Sequence, residues 1–478
     1  MHFDTPSRRN FLGKMLALAG GSSLPFTLNL AAMSNAVAAG ATDYKAIVCL
    51  FLNGGNDHFN TVLATDSTSW SEYRRVRATA DSGAIALPGV GASGGVLPIV
   101  PNTPQAGRSY GLHPSLGPLK DLFDAGRVAV LANVGTLVQP LTLAQYKAGG
   151  AAIPPRLFSH NDQQAMWQSS QTEQAGGAGW GGRLGDLMAS ANGNAAFTCI
   201  STAGNAQFLS GRSIRQYQLA GGAVVPINHL SDRLFGVPAS ANPLRQIVAG
   251  DYADPFQKEH AAVVARAINS QAALDGALLS AGPTGVPDPQ PYINPNNGVA
   301  RVNPLAVQLQ TVARVIGSRN ALGIKRQVFY VSLGGFDNHD FQLSSQTDLL
   351  AKVAHAMAYF DGLMANLQGV DMRKQVTLFT ASDFGRTFTS NGDGTDHGWG
   401  SHHFIMGGAV KGKNIYGSMP VTGVGHDLDV GSGALLPTTS VDQYGATLAS
   451  WFGLSATQIA DVFPNIGNFS TRNLGFMG

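Results

Sequence analysis

Cysteine is nearly absent from this chain: there are two in 478 residues, Cys49 and Cys199. Each lies inside a short apolar run, Ala46-Leu52 and Ala195-Ser201, and cysteine is among the most buried residue types. The pair therefore reads as two separate core residues rather than a bridge, and no thiol chemistry is expected. Charge is scarce as well. Asp, Glu, Lys and Arg make up 13% of the residues, about half of the ~25% usual in globular chains. Glycine, with 59 residues, runs well above its usual ~7%. The formal charge of +2 resides in residues 1–38, where Arg8, Arg9 and Lys14 outweigh Asp4; the remainder is neutral. No basic surface for nucleic acid is expected. Beyond the N-terminal region nothing approaches the ~20 consecutive apolar residues of a membrane-spanning helix, and no internal repeat is visible.

What is present begins at the N-terminus. Ser7-Arg8-Arg9-Asn10-Phe11-Leu12-Gly13-Lys14 reads as a twin-arginine export motif, followed by an apolar stretch from Met15 and the small-residue cleavage site Ala36-Val37-Ala38. Gly20, Gly21 and Pro25 break the stretch, which makes it too short to anchor. Residues 1–38 are thus expected to be a cleaved signal. The twin-arginine export machinery is the partner, the periplasm or another exported location is the destination, and no stable membrane anchor remains. Residues 39–478 read as one large domain with loop insertions near 81–111 and 282–303, the second carrying Pro-Thr-Gly-Val-Pro-Asp-Pro-Gln-Pro.

Within that domain helix patterns alternate with strand patterns, which argues for parallel strands joined by crossover helices. A helix is predicted from Asn303-Pro304, with asparagine as N-cap, proline at the first position, and Leu305, Leu309, Val312 and Ile316 on one face. Another is predicted over roughly Thr347 to Leu367, burying Leu349, Val353, Met357, Phe360 and Met364 while His355 points to solvent.

Three acidic residues each follow an apolar, β-branched run: Asp57 after Ala46-Leu52, Asp337 after Val328-Leu333 and Asp383 after Val376-Thr380. In an open α/β sheet ligands bind outside the carboxyl ends of parallel strands. Carboxylates gathered there repel unless a cation sits among them, so a divalent metal is expected, held by Asp57, Asp337 and Asp383 with His339, His397, His402 and His403 completing the shell. Two of the segments repeat one device, a strand, a glycine pair and an aspartate: Leu-Asn-Gly-Gly-Asn-Asp57 and Leu-Gly-Gly-Phe-Asp337-Asn-His339. His339 lies two residues past Asp337, where an extended loop points both side chains the same way. His402, beside His403, reads equally as a ligand or as a partner to one. Arg386 reads either as a clamp on an anionic substrate or as a salt-bridge partner of a ligand carboxylate. Ser159, in Arg156-Leu-Phe-Ser159-His160-Asn161-Asp162, opens a helix; it reads as a nucleophile beside the metal or, with Asp162, as a capping box.

Together the export motif, Leu-Asn-Gly-Gly-Asn-Asp57, Gly-Gly-Phe-Asp337-Asn-His339, Ser-Asp383-Phe-Gly-Arg-Thr387, Thr-Asp396-His397-Gly-Trp-Gly and Thr439-Ser-Val-Asp-Gln-Tyr-Gly-Ala-Thr-Leu-Ala449 resemble the exported bacterial family called domain of unknown function 1501. That family looks related to the alkaline phosphatase and sulfatase superfamily. The resemblance implies a three-layer α/β/α sandwich with a mostly parallel central sheet, and a divalent ion (zinc, manganese, magnesium or calcium) at the strand ends. It places Ser159 nearest the nucleophile position. Phe384 stands where the better-known phosphatases carry a histidine. The expected function is a metal-dependent hydrolase of small-molecule or polymer phosphate or sulfate esters, and the alternative is a non-catalytic exported binding or surface-assembly protein on the same scaffold.

Overall fold

The computed structural model describes residues 42–78, 84–171, 177–219, 227–230 and 232–478; the export motif and its cleavage site lie outside them. The fold is mixed α/β, with a large, mostly parallel central sheet and eleven α-helices among the described residues.

The sheet strands are β1 (Lys45–Leu52), β2 (Val128–Gly135), β3 (Cys199–Ser201), β4 (Tyr217–Gln218), β5 (Arg326–Leu333), β6 (Val376–Ser382), β9 (Ser401–Met406), β10 (Ile415–Tyr416) and β11 (Thr439–Ser440); β7 (Arg386–Ser390) and β8 (Thr395–His397) form a separate hairpin. The order across the sheet is β10-β2-β9-β6-β1-β5-β3-β4, with β11 also pairing β2. Among the described strands of this sheet only β9 runs antiparallel to its neighbours, β6 and β2. Strands buried on both faces read as continuous apolar runs rather than alternating ones. Lys-Ala-Ile-Val-Cys-Leu-Phe-Leu of β1 is such a run, and all but Lys45 is buried.

Alternate residues of each strand feed two separate cores. On one face Ala46, Val48 and Leu50 join residues of α2 (Gly117–Asp124), α5 (Pro304–Gly317) and α6 (Gln342–Ala365). On the other, Ile47, Cys49 and Phe51 join α3 (His160–Ser169), α4 (Trp180–Met188) and α7 (Val441–Phe452). Full burial of each such side chain contributes roughly 1.5–3 kcal/mol, so the two-faced core fixes strand register firmly. That register sets the site. Leu52 pairs with Leu333 and with Ser382, so the three central parallel strands end level and deliver the loops bearing Asp57, Asp337 and Asp383 to one edge.

Both predicted helices form. Asn303 caps α5 by accepting from the Leu305 N–H, and Leu305, Leu309, Val312 and Ile316 are fully buried. Helix α6 begins five residues earlier than expected, at Gln342. His355 is not solvated. It is half-buried, with Nδ1 3.2 Å from the Asn303 amide nitrogen, and burial lowers its pKa. The reason is tertiary: the segment before α5 folds over this face of α6. Both cysteines are buried and free.

The expected insertions carry structure of their own. Leu97–Ile99 and Tyr110–Leu112 build a small antiparallel sheet with Val62–Ala64, and Tyr292–Ile293 pairs with Ala300–Arg301. Among the described residues no helix is long and apolar enough to cross a membrane.

Candidate metal centre

The loop after β5 turns through Gly335, whose φ of 103° is open to glycine at little cost. It presents Asp337 and His339 at the sheet edge. Helix α3 starts at the same edge with His160, and β8 ends there with His397. Four donor groups converge. His160 Nε2 and His397 Nε2 are 3.1 Å apart, and His339 Nε2 lies 2.9 Å from His397 Nε2. Asp337 carboxylate oxygens lie 3.3 Å from His160 Nε2, 3.2 Å from His339 Nε2 and 3.4 Å from His397 Nε2. The ligand atoms of His160, Asp337 and His397 all fall within 4.8 Å of one another. Donors at ~2.0–2.1 Å from a tetrahedral zinc stand about 3.3–3.4 Å apart by simple geometry, so the spacings of His160, Asp337 and His397 fit one ion, with His339 against two of the three.

The tautomers make the case chemical rather than merely geometric. His397 Nδ1 is 2.7 Å from the Phe158 carbonyl oxygen, an acceptor only, so Nδ1 carries the proton. His160 Nδ1 is 2.7 Å from Asp383 Oδ2 and likewise donates. When both rings are neutral, their Nε2 lone pairs face each other across 3.1 Å with the Asp337 carboxylate alongside. Such an array repels itself unless a proton or a cation lies between. A carboxylate or carbonyl behind each imidazole is also how metal-bound histidines are oriented. Phe158 holds its carbonyl there in a left-handed conformation, φ 70°, a strained state for a bulky residue.

The two imidazoles are biased in opposite directions. The hydrogen bond to Asp383, opposed by partial burial, raises the pKa of His160. Burial lowers that of His397, against the carbonyl of Phe158. Burial would lift Asp337, but the Arg386 guanidinium beside it prevails and holds its carboxyl below the usual range.

The sequence-predicted residues thus separate into those gathered at the centre and those placed elsewhere. Asp337, His339 and His397 are brought together. Asp383, expected as a ligand, stands behind His160: Oδ2 takes His160 and the Gln164 amide at 2.7 Å, and Oδ1 takes the Gly54 N–H at 3.1 Å. Asp57 is enclosed elsewhere. Arg77, the last residue of α1 (Ser67–Arg77), clamps it at 2.5 and 3.1 Å, and Gln342 donates at 2.6 Å. His402 and His403 are buried in the sheet: His402 Nδ1 accepts the Asn133 N–H, while His403 packs against Trp167 and Tyr444. Both are held neutral by burial, with pKa values of about 4 and about 3.

Arg386 is fully buried and turns inward to Asp337 at 2.5 Å and to the carbonyls of Gly55, Phe336 and Thr395; of its two readings, the salt bridge is the one found. The Ser159 hydroxyl donates to Asp162 Oδ2 at 2.6 Å and makes no helix-capping bond. Phe384 packs against the rings of both His160 and His397 at 4.7 and 4.8 Å. Two residues were missed. His160 was overshadowed by its neighbour Ser159, although a histidine at the first position of a helix that follows a long loop is a readable sign. Arg77 carries no local sign at all.

These features define a class, an α/β sheet with an imidazole–carboxylate centre at the carboxyl ends of its parallel strands. The chain belongs to the family described as "Protein of unknown function (DUF1501)", whose model matches residues 44–463. No curated protein matches it. Solved structures similar to it include BT33494S-sulf, from work on the metabolism of multiple glycosaminoglycans by Bacteroides thetaiotaomicron, at 12% identity, TM-score 0.32, over 89% of this chain and 74% of that one. Ps i-CgsB in complex with k-i-k-neocarrahexaose aligns at 9% identity, TM-score 0.33, over 87% and 74%. The C-terminal periplasmic domain of EcEptC from Escherichia coli aligns at 11% identity, TM-score 0.31, over 91% and 86%. Likeness at that level carries no argument about chemistry.

Proposed function

We propose that this protein is an exported metal-dependent hydrolase of phosphate or sulfate esters, on a three-layer α/β/α scaffold of the alkaline phosphatase kind. The observation that carries the reading is the convergence of His160, His339 and His397 Nε2 on the Asp337 carboxylate, with two of the three tautomers fixed from behind. Two imidazole nitrogens and one carboxylate oxygen, with the His339 imidazole beside them, suit zinc better than the hard cations magnesium, calcium and manganese, which favour oxygen ligands. When bound, the ion supplies Lewis acidity to the ester and to an attacking water. The chain itself supplies orientation. Asp383 and the Phe158 carbonyl hold the imidazoles, and Arg386 holds Asp337. The ligands keep side-chain exposures of 25–46%, which leaves a face for substrate.

Ser159 adjoins His160, and its proton already points to Asp162. A covalent route has Oγ attack the phosphorus or sulfur while that proton passes to Asp162, which returns it to the departing alkoxide, and water then hydrolyses the seryl ester; the other route is direct attack by water. One observation favours the non-catalytic reading. Arg386, the arginine bound to Asp337, faces inward and is not directed toward the anionic oxygens of an ester. Metal analysis of natively purified protein, with a screen of aryl phosphate, phosphodiester and sulfate esters, decides between the readings. Bound metal with turnover selects the hydrolase, and bound metal without turnover on any ester selects an exported binding protein. Protein that takes up no metal removes the centre.

A further inference from the structure

A cavity of about 340 Å³ opens beside the centre, on the side of α3 and β5. Its lining holds no charged side chain. Six carboxamides (Asn53, Asn161, Gln164, Gln168, Asn205 and Gln207) face it, together with the hydroxyls of Tyr330 and Ser332 and three alanines. In a chain whose other strand-end loops concentrate carboxylates, imidazoles and arginines, this composition is a selective environment. An anion finds no cationic partner there. A cation finds no carboxylate, and an apolar group would strand the amides.

Several lining groups have hydrogen-bonding capacity that the fold does not use. Tyr330 is 5% exposed, its ring packed on Phe51 and Phe208, yet its hydroxyl has no partner among the described residues. The hydroxyl therefore opens on the cavity with its donor and its acceptor free for a ligand or water. The side chains of Asn53, Asn161 and Ser332 are likewise unpartnered among the described residues, and Gln168 uses only its oxygen, on the Phe208 N–H. Carboxamides and hydroxyls each offer donors and acceptors together. The solute that matches such a surface without charge is one dense in hydroxyls.

The cavity is also tied to the centre. Gln164 lies one helical turn after His160 and donates to the same Asp383 oxygen that takes His160 Nδ1. Asn53 and Ser332 sit where β1 and β5 lead into the loops of Asp57 and Asp337. We propose that this cavity is a subsite for a neutral, hydroxyl-rich moiety, a sugar or similar polyol, so that the substrate of the centre is a carbohydrate ester whose charged group faces the histidines and whose ring lies against Tyr330 and the amides. The substrate class rests on the hydrolase reading; the subsite does not.

The test is binding of glucose, galactose, N-acetylglucosamine and their neutral di- and trisaccharides to the full protein, by saturation-transfer NMR, with and without chelator. At least one should bind wild type at roughly 10 mM or below, near the weak end of specific recognition, and binding should persist with chelator. Tyr330→Phe and Asn161→Ala should each weaken it several-fold and together by about tenfold or more, while metal content and circular dichroism stay unchanged. Absence of binding by the whole panel, or equal binding by wild type and the double variant, overturns the subsite. Sugar binding intact in a protein that hydrolyses no ester keeps the subsite and overturns the hydrolase instead.

Discussion

Two turns of this protein share one local design and meet opposite fates. After β1 the chain reads Asn53-Gly-Gly-Asn-Asp57, and after the adjacent, register-matched β5 it reads Gly334-Gly-Phe-Asp337. They touch: a Cβ on Gly54 would come within 2.3 Å of the Asp337 backbone nitrogen. Both aspartates pair with an arginine at 2.5 Å. Yet the Asp57 side chain is 3% exposed and the Asp337 side chain 46%. Helix α1 closes over the first turn and seals Asp57 against Arg77, whereas among the described residues no element closes over the second, so Asp337 keeps a free side toward three imidazoles. The same motif is a structural ion pair in one place and a candidate ligand in the other, and the covering element makes the difference.

The comparison breaks most decisively at the sealed turn. Arg77→Ala or Asp57→Ala leaves a buried charge without its partner and should cost roughly 3–5 kcal/mol of unfolding free energy. Metal content of the folded fraction should be unchanged. Chemical denaturation with metal analysis checks both; loss of metal from a stable Asp57→Ala protein would return Asp57 to the centre.

At the open turn the effect should depend on metal. Wild type with ion at a hundred times its dissociation constant should gain about 2.7 kcal/mol over chelated protein. His397→Ala and His339→Ala should lose most of that gain while matching wild type in chelator, and Asp337→Asn, which keeps an acceptor for Arg386, should weaken it. Thermal midpoints that ignore chelator in wild type and variants alike would leave no role for metal here.

Acid should separate the two regions further. Burial holds His402 and His403 near 4 and 3, below the ~6.5 of an unfolded chain. Below pH 6.5 the unfolded chain therefore binds protons that the native state refuses. The stability these groups contribute is complete above that pH and is lost as pH falls toward 4. Each should remove roughly 2 kcal/mol between pH 6.5 and 5. Urea midpoints of wild type and His403→Gln over that range should differ in slope by about one proton; identical slopes would mean the imidazole is not neutral and buried.

The smallest stability change is expected at Ser159. Its hydroxyl serves Asp162 and not the helix backbone, so Ser159→Ala should cost about 0.5–1.5 kcal/mol with metal content intact. A fall in ester turnover by orders of magnitude assigns Oγ as nucleophile, and retained turnover leaves water as the attacking group.

Much of the frame was legible because it rests on local rules. The strands of β1, β2, β5 and β6 are long apolar runs, α5 announces itself by Asn303-Pro304 and a 3.6-residue stripe, and parallel pairing follows from alternation. Within the site, Asp337, His339 and His397 were readable from their positions after strands and glycines. Asp383 was readable as belonging to the edge but not as standing behind His160, since a carboxylate one residue past a strand looks the same whether it meets a cation or an imidazole.

By itself, then, the sequence determined the secondary-structure periods, the parallel sheet and the edge at which the carboxylates arrive, since hydrophobic spacing and glycine turns act over a few residues. The tertiary structure decided which carboxylate stays open. Arg77 reaches Asp57 across 20 positions, His160 reaches Asp383 across 223, and His397 meets Phe158 across 239. Those contacts fix charge pairing, tautomer and exposure. They depend on packing between distant segments, for which no local pattern in the chain is a substitute.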